Sequence, residues 1–268
     1  MKEPRAGIPD IHQLRDETQL DLDKVGVRGV RYPITVLDKS EGRQHTVATV
    51  DMFVDLPREY KGAHMSRFLE VLNEHHREVS IGKLPVILTA MRERMNAKSA
   101  RIVVEFPYFI EKQAPVTLAP SLMGYTCVIL GRSDCGGVTL GLEVRVPIMT
   151  LCPCSKEMSV APHNQRGEVR IKVRFNRRVW IEDLVAMIER CASSDLYSLL
   201  KRVDEKAVAD RAFENPRFVE DVVRLAATEL LADPKITWFS VEAETFESIH
   251  AHNAYASIER DKTKKELR

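Results

Sequence analysis

The residue types best able to do chemistry cluster in Leu151-Cys152-Pro153-Cys154-Ser155-Lys156-Glu157, followed shortly by His163-Asn164-Gln165-Arg166. A soft thiolate and an imidazole in one loop can converge on a single ion. Pro153 constrains its own backbone and that of the residue before it, which predicts an extended, non-helical path through Cys152 and Cys154. The sequence holds no second Cys pair to complete a site of four thiolates, so an open site with a carboxylate as third ligand is the natural completion. Spacing alone is equally compatible with two buried cysteines and a surface-loop His163.

Three further stretches carry candidate groups. Phe246-Glu247-Ser248-Ile249-His250-Ala251-His252-Asn253 sets Glu247 three residues before His250, a spacing suited to proton transfer and equally to a polar turn. Lys61-Gly62-Ala63-His64-Met65-Ser66-Arg67 opens a predicted helix. There His64, Ser66 and Arg67 can meet an anion such as phosphate, or simply cap the helix. Glu220 lies on a predicted helix whose apolar arc comprises Phe218, Val219, Val222, Val223, Leu225 and Ala226, and it falls outside that arc. In an isolated domain it faces water; it becomes functional if another subunit covers that face.

The elements that must position these groups follow from periodicity. Strands are predicted over 26–37 and 45–56, helices over 65–78 and 84–96, then strands over 100–109 and 122–131. The second half repeats the order, with strands at 138–148 and 168–175 and a long helix from Trp180 to about Lys201. A further helix opens at Asn215-Pro216, and strands at 235–244 and 250–258 close the pattern. Segments 110–121 and 152–167 are predicted loops. Two ββααββ modules, 26–131 and 132–260, are expected, the second carrying most of the chemistry, between an N-terminal arm (1–25) and a basic, solvated tail (261–268). Antiparallel sheets with helices grouped on one face make an α+β fold.

Composition narrows the partners. The 268 residues are 44% hydrophobic and 29% charged with a formal net charge of +1, so no global field draws the chain to nucleic acid or an acidic membrane. No apolar run is long enough to span a bilayer and the N-terminus lacks a signal-peptide core, so a cytoplasmic location is expected. Five cysteines, an odd number, argue for free thiols rather than a disulfide framework.

These blocks occur together and in order in one family. KGAHMSRF at 61–68, LCPCSKE at 151–157, HNQR at 163–166, LYSLLKR at 196–202, DEK at 204–206, ENPRFVED at 214–221 and FESIHAHNAY at 246–255 resemble GTP cyclohydrolase I type B. The resemblance runs from about Val25 to Ser257. It implies the tunnelling fold (T-fold), with two tandem ββααββ modules per chain and subunits joined as a barrel. It implies a homotetramer with active sites between subunits, and hydrolysis of GTP to 7,8-dihydroneopterin triphosphate and formate, the first step of tetrahydrofolate biosynthesis. The ligands implied for a divalent metal (Zn²⁺ or Mn²⁺, or else Fe²⁺) are Cys152, His163 and Glu205, with a metal-activated water attacking guanine C8. Glu247 and His250 are implied in proton transfer, and Cys154 as a group near C8 or a fourth ligand. Glu220 is implied as the guanine anchor, with Glu247 as the other candidate, and His64, Ser66 and Arg67 as the triphosphate site. Alternatives within this resemblance are an archaeal-type enzyme making a cyclic phosphate and a deazaguanine nitrile reductase; outside it stands a structural zinc module.

Overall fold

The computed structural model describes residues 18–75 and 81–264. Most of the expected N-terminal arm, the end of the 65–78 helix and the last four residues of the tail lie outside the described residues. Eight strands, β1 (Leu22–Asp38), β2 (Gly42–Leu56), β3 (Ala100–Gln113), β4 (Pro120–Asp134), β5 (Gly137–Leu151), β6 (Asn164–Phe175), β7 (Ile236–Thr245) and β8 (Ala254–Asp261), are hydrogen-bonded in chain order into one sheet. The helices among the described residues are α1 (Met65–Glu74), α2 (Leu84–Met95), the single-turn α3 (Pro153–Met158), α4 (Ile181–Cys191), α5 (Arg202–Glu214) and α6 (Val219–Ala232). The α+β class is as expected. The described residues fall into two compact units: the first takes residues up to Leu37, His45–Val104 and Leu130–Leu140, the second Asp38–Gln44, Glu105–Ile129 and everything from Gly141 on.

In the first unit the alternation of β2 buries Val50, Met52 and Val54. Helix α1 buries Phe68, Val71 and Leu72, and α2, which packs on it, buries Leu84, Ile87, Leu88 and Met91. Asn96 closes α2 in the left-handed conformation (φ 50°), which its short polar side chain tolerates. Arg94 clamps Glu74 with two N–H donors at 2.8 and 2.9 Å, tying the end of one helix to the other.

In the second unit β5, β6 and β7 pair antiparallel and carry one apolar and one charged face. Leu142, Val144, Val146 and Ile148 of β5 and Val169, Ile171 and Val173 of β6 are buried. Helix α6 packs against β7 and β8, and α4 against α6. On the charged face, Glu143 meets Arg145 at 2.9 Å and Arg170 and Lys172 at 3.6 Å each, while Glu242 takes Arg170 at 3.6 Å and Lys172 at 3.8 Å. Arg145 stands directly opposite Arg170 in the register, a like-charge pair that Glu143 bridges.

The long helix predicted from Trp180 to Lys201 is instead two helices with an irregular link. Helix α4 stops at Cys191 because the following backbone is used by β5: Ser193 N and Ser194 N both donate to Met149 O, at 3.0 and 3.4 Å. Ser193 and Ser194 are accordingly buried. The next helix begins at Arg202, and α6 at Val219 rather than at Asn215-Pro216. Within α6 the buried side is Val219, Val222, Val223, Ala226, Ala227 and Leu230; Phe218 and Leu225, expected in that arc, are exposed. The strands also run into the predicted loop 110–121, through Gln113 and from Pro120.

Two buried polar clusters hold the link. Lys112 Nζ donates to Glu189 Oε1 at 2.7 Å and to Leu196 O at 2.8 Å, and lies 3.4 Å from Asp195. Burial pushes the Glu189 carboxyl up, with Lys112 opposing; for Asp195 the upward push of burial is outweighed by Lys112 and by the Tyr197 hydroxyl. Asp204 is fully buried and accepts from Val116 N (2.9 Å), Thr117 N (2.8 Å), Thr117 Oγ1 (2.7 Å) and Lys201 N (2.9 Å). Burial alone raises its pKa, but these bonds, Thr117 first, bring it down to about 2 from 3.8. A depressed carboxylate stabilises the fold above its ordinary pKa and ceases to as pH falls through the folded value. Thermal unfolding of the protein should therefore lose stability between pH 3.8 and about 2 through this group. In Asp204→Asn the melting temperature at neutral pH should be lower and this acid limb flatter; an unchanged limb by circular dichroism rules Asp204 out as its source.

Candidate active site

The end of β5 is pinned before Cys152 leaves it. Leu151 N donates to Ser193 Oγ at 3.0 Å, Leu151 O accepts from Arg217 N at 3.1 Å, and Cys152 N donates to His163 O at 3.2 Å. The residues that broke the predicted long helix thus fix where Cys152 emerges. Cys152 is extended (φ −66°, ψ 119°) as the N-cap of α3, its Sγ accepting from Ser155 N at 3.4 Å. Pro153 sits in the first turn, where its missing N–H costs nothing. This corrects the expected extended path: Cys152 is extended, but Cys154 is helical, because proline here starts a turn of helix rather than preventing one. Lys156 closes the turn onto α5, donating to Phe213 O at 2.6 Å.

His163 returns the chain to β6. Its N–H donates to Ser155 Oγ at 3.1 Å, and its Nδ1 lies 3.0 Å from Gln165 Oε1 and 4.0 Å from Glu247 Oε2. Gln165 is buried and its Nε2 donates to the fully buried Thr150 Oγ1 at 3.1 Å, its direct cross-strand partner. Glu247 is held on the other side by Thr245, whose hydroxyl donates to Oε1 at 2.8 Å. The strands carrying these groups approach closely: a Cβ on Gly167 would stand 2.6 Å from Glu244 O, so only glycine fits opposite Thr245. Phe246 N donates to Arg166 O at 2.8 Å, prolonging the β6–β7 pairing to the residue before Glu247.

The fold thus brings Cys152, His163 and Glu247 to one end of β5, β6 and β7. His250 lies farther along the loop after β7, exposed and stacked on His252 with ring centroids 5.2 Å apart. Cys154 is exposed on α3. Glu205 is exposed in the first turn of α5, beside buried Asp204, and Glu220 is exposed in the first turn of α6. Among the described residues no three or more His, Cys, Asp and Glu side chains form a ready-made metal cluster. The donors nevertheless suit a divalent ion: Cys152 contributes a sulfur, and His163 has one ring nitrogen facing carboxylate and amide oxygens, the usual support of a ligating imidazole.

In the first unit His64 is the N-cap of α1 and Arg67 donates from Nη1 to Arg94 O at 3.3 Å. Both line a cleft of about 210 Å³ with Asp55, Tyr60, Gly62 and Asn96; Ser66 is exposed on the helix. The sequence reasoning assigned nothing to Gln165, Thr150, Thr245 or Asp204. Gln165 stood inside the HNQR block, and Asp204 inside DEK. Their signal was a polar residue at a position whose strand or helix phase is inward, which only becomes visible once the register is known.

The fold is shared with urate oxidases. A hyper-thermostable AgUricase mutant superposes with a TM-score of 0.52 at 8% identity, covering 92% of this chain and 94% of that one. A highly active mutant of Bacillus sp. TB-90 urate oxidase gives 0.50 at 9% identity, covering 90% and 100%. At such identities the likeness shows the fold alone. Sequence goes further: the profile of the type I GTP cyclohydrolase FolE2 family matches residues 8–256. A GTP cyclohydrolase FolE2 of Syntrophobacter fumaroxidans is 56% identical over 255 residues, covering 94% of this chain and 99% of its own length. That of Geobacter metallireducens is 52% identical over 256 residues, covering 95% and 98%. The chain belongs to the type I GTP cyclohydrolase FolE2 family, a family of hydrolases.

Proposed function

We propose that the protein hydrolyses GTP, with a net uptake of one water, to 7,8-dihydroneopterin triphosphate and formate, entering folate biosynthesis in the cytoplasm. The observation that carries this reading is the near full-length match to GTP cyclohydrolases, joined to the placing of Cys152, His163 and Glu247 at one end of β5–β7. Cys152, His163 and Glu205 are the proposed ligands of a divalent ion, Zn²⁺ or Mn²⁺, or else Fe²⁺. When bound, the ion supplies an activated water for attack at guanine C8. Glu220 accepts the guanine N1–H and 2-amino protons, a donor pair that adenine lacks. Glu247, held by Thr245, and His250 move protons during ring opening and formate release. Cys154 acts near C8 or as a fourth ligand, and His64, Ser66 and Arg67 bind the triphosphate.

The assembly proposed is a homotetramer of two-module chains, strands joined edge to edge in a barrel, with active sites between subunits. It is supported by the ββαα order at the start of the chain and ββ at its end, and by the exposure of Glu205 and Glu220. The reading is tested by stripping the protein of metal and adding Mn²⁺ or Zn²⁺ with GTP, alongside a chelator control. Formate and the pterin triphosphate should appear together and only with metal. A cyclic phosphate product would move the protein to the archaeal-type reaction, and neither product from folded oligomer would sink the reading.

A further inference from the structure

We propose that Gln165 and Thr150 are positioning residues that hold the His163 imidazole as the Nδ1–H tautomer, leaving the Nε2 lone pair directed away from the strands for a ligand. The inference rests on the reading of His163 as a metal ligand and adds to it a device built from residues that no motif assigned. Two oxygens face the same ring nitrogen: Gln165 Oε1 at 3.0 Å and Glu247 Oε2 at 4.0 Å from Nδ1. A proton on Nδ1 hydrogen-bonds Gln165 Oε1 and is favoured electrostatically by the Glu247 carboxylate, which at 4.0 Å is too far for a hydrogen bond. A lone pair there would face a carboxylate and gain nothing from it. The amide could satisfy a lone pair by turning over, but Glu247 could not, because a carboxylate only accepts.

The rest of the arrangement keeps those oxygens in place. Gln165 Nε2 donates to Thr150 Oγ1 at 3.1 Å while the amide oxygen faces His163, the orientation that the Glu247 carboxylate on the same ring nitrogen favours. Gln165 is only 8% exposed and Thr150 not at all, and the two are paired across β5 and β6, so neither side chain has water as an alternative partner. Thr245 occupies one Glu247 oxygen at 2.8 Å and leaves the other for the ring. Both His163 main-chain groups are also bonded, N–H to Ser155 and C=O to Cys152 N, so the backbone that carries the ring is fixed.

The test uses the full-length protein, metal-free and labelled with ¹⁵N, at a pH where imidazole is neutral, with His163→Gln to assign the ring signals. Wild type should show a pyrrole-like Nδ1 and a pyridine-like Nε2. Gln165→Met, which keeps the volume and removes the acceptor, should shift the ring toward a tautomer mixture and weaken Zn²⁺ binding by about 10- to 100-fold. Gln165→Glu, which keeps an acceptor for Nδ1–H and can accept from the Thr150 hydroxyl, should restore both. Thr150→Val serves as a second, nearly isosteric variant if Gln165→Met folds poorly, and should show the same tautomer shift in weaker form. An Nε2–H signature in wild type, or wild-type ring signals and Zn²⁺ affinity in Gln165→Met, overturns the proposal. If the tautomer behaves as stated but wild type binds no metal, the relay stands and the ligand role of His163 falls.

Discussion

Replacing Cys152 with Ala is expected to remove divalent metal and, with it, turnover. A metal in the proposed role would supply several kcal/mol of transition-state stabilisation, so kcat/KM for GTP should fall by roughly a thousandfold or more. Bound metal per chain should fall to background. Because Cys152 also caps α3 through Ser155 N, the alanine costs the turn a hydrogen bond worth about 1 kcal/mol. Cys152→Ser separates the two effects: a hydroxyl can still cap the turn, yet it is a poor ligand at neutral pH. Loss of metal in both variants with normal unfolding of the serine form assigns the sulfur to the ion. Wild-type metal content and activity in Cys152→Ala would remove it from the ligand set.

Glu220→Gln is expected to lower kcat/KM for GTP by roughly a hundredfold while metal content stays unchanged. In the proposed anchor role, glutamine would keep the shape but turn one acceptor into a donor facing guanine's own donors, and hydrogen bonds to a charged group are each worth about 1.5–3 kcal/mol. The protein should fold normally, since Glu220 is exposed and its loss from the first turn of α6 costs only about 0.5 kcal/mol of helix-dipole interaction. Inosine triphosphate, which lacks the 2-amino group, should be handled relatively better by the variant than by wild type. If Glu220→Gln is kinetically silent and Glu247→Gln carries this phenotype, the anchor is Glu247. Metal loss in Glu220→Gln with unchanged GTP affinity would refute the anchor role outright.

The strands were legible because their signal is local: Val50, Met52 and Val54 alternate with Asp51, Phe53 and Asp55, and the burial follows that phase. Helix α5 was not, because its sequence has little apolar asymmetry and because the 192–201 link continues an apolar pattern. What stops α4 is the demand of β5 for a backbone partner at Ser193 and Ser194, a tertiary requirement with no local mark. The same distinction holds at the site. Cys152 and His163 were found as chemical types, and the fold places them adjacent through the Cys152 N–His163 O bond. Gln165 and Asp204 were passed over beside more reactive neighbours, since an amide among charged residues or a second carboxylate in DEK looks redundant until burial shows which one points inward.

The charged face of β5, β6 and β7 has a consequence for how the chain finds its native alignment. Side chains alternate with a period of two, so sliding β6 by one residue against β5 would carry Arg170 and Lys172 to the side where Val169, Ile171 and Val173 now sit. A slide of two residues keeps the sides right and in one direction even sets Glu143 opposite Arg170 and Arg145 opposite Glu168, but it parts Thr150 from Gln165 at the strand ends. The first error buries charge and exposes the apolar face; the second is opposed by the buried polar pair rather than by the charged face. The alternation thus fixes which side each strand presents, and the Thr150–Gln165 pair fixes the alignment at the end where Cys152 and His163 emerge.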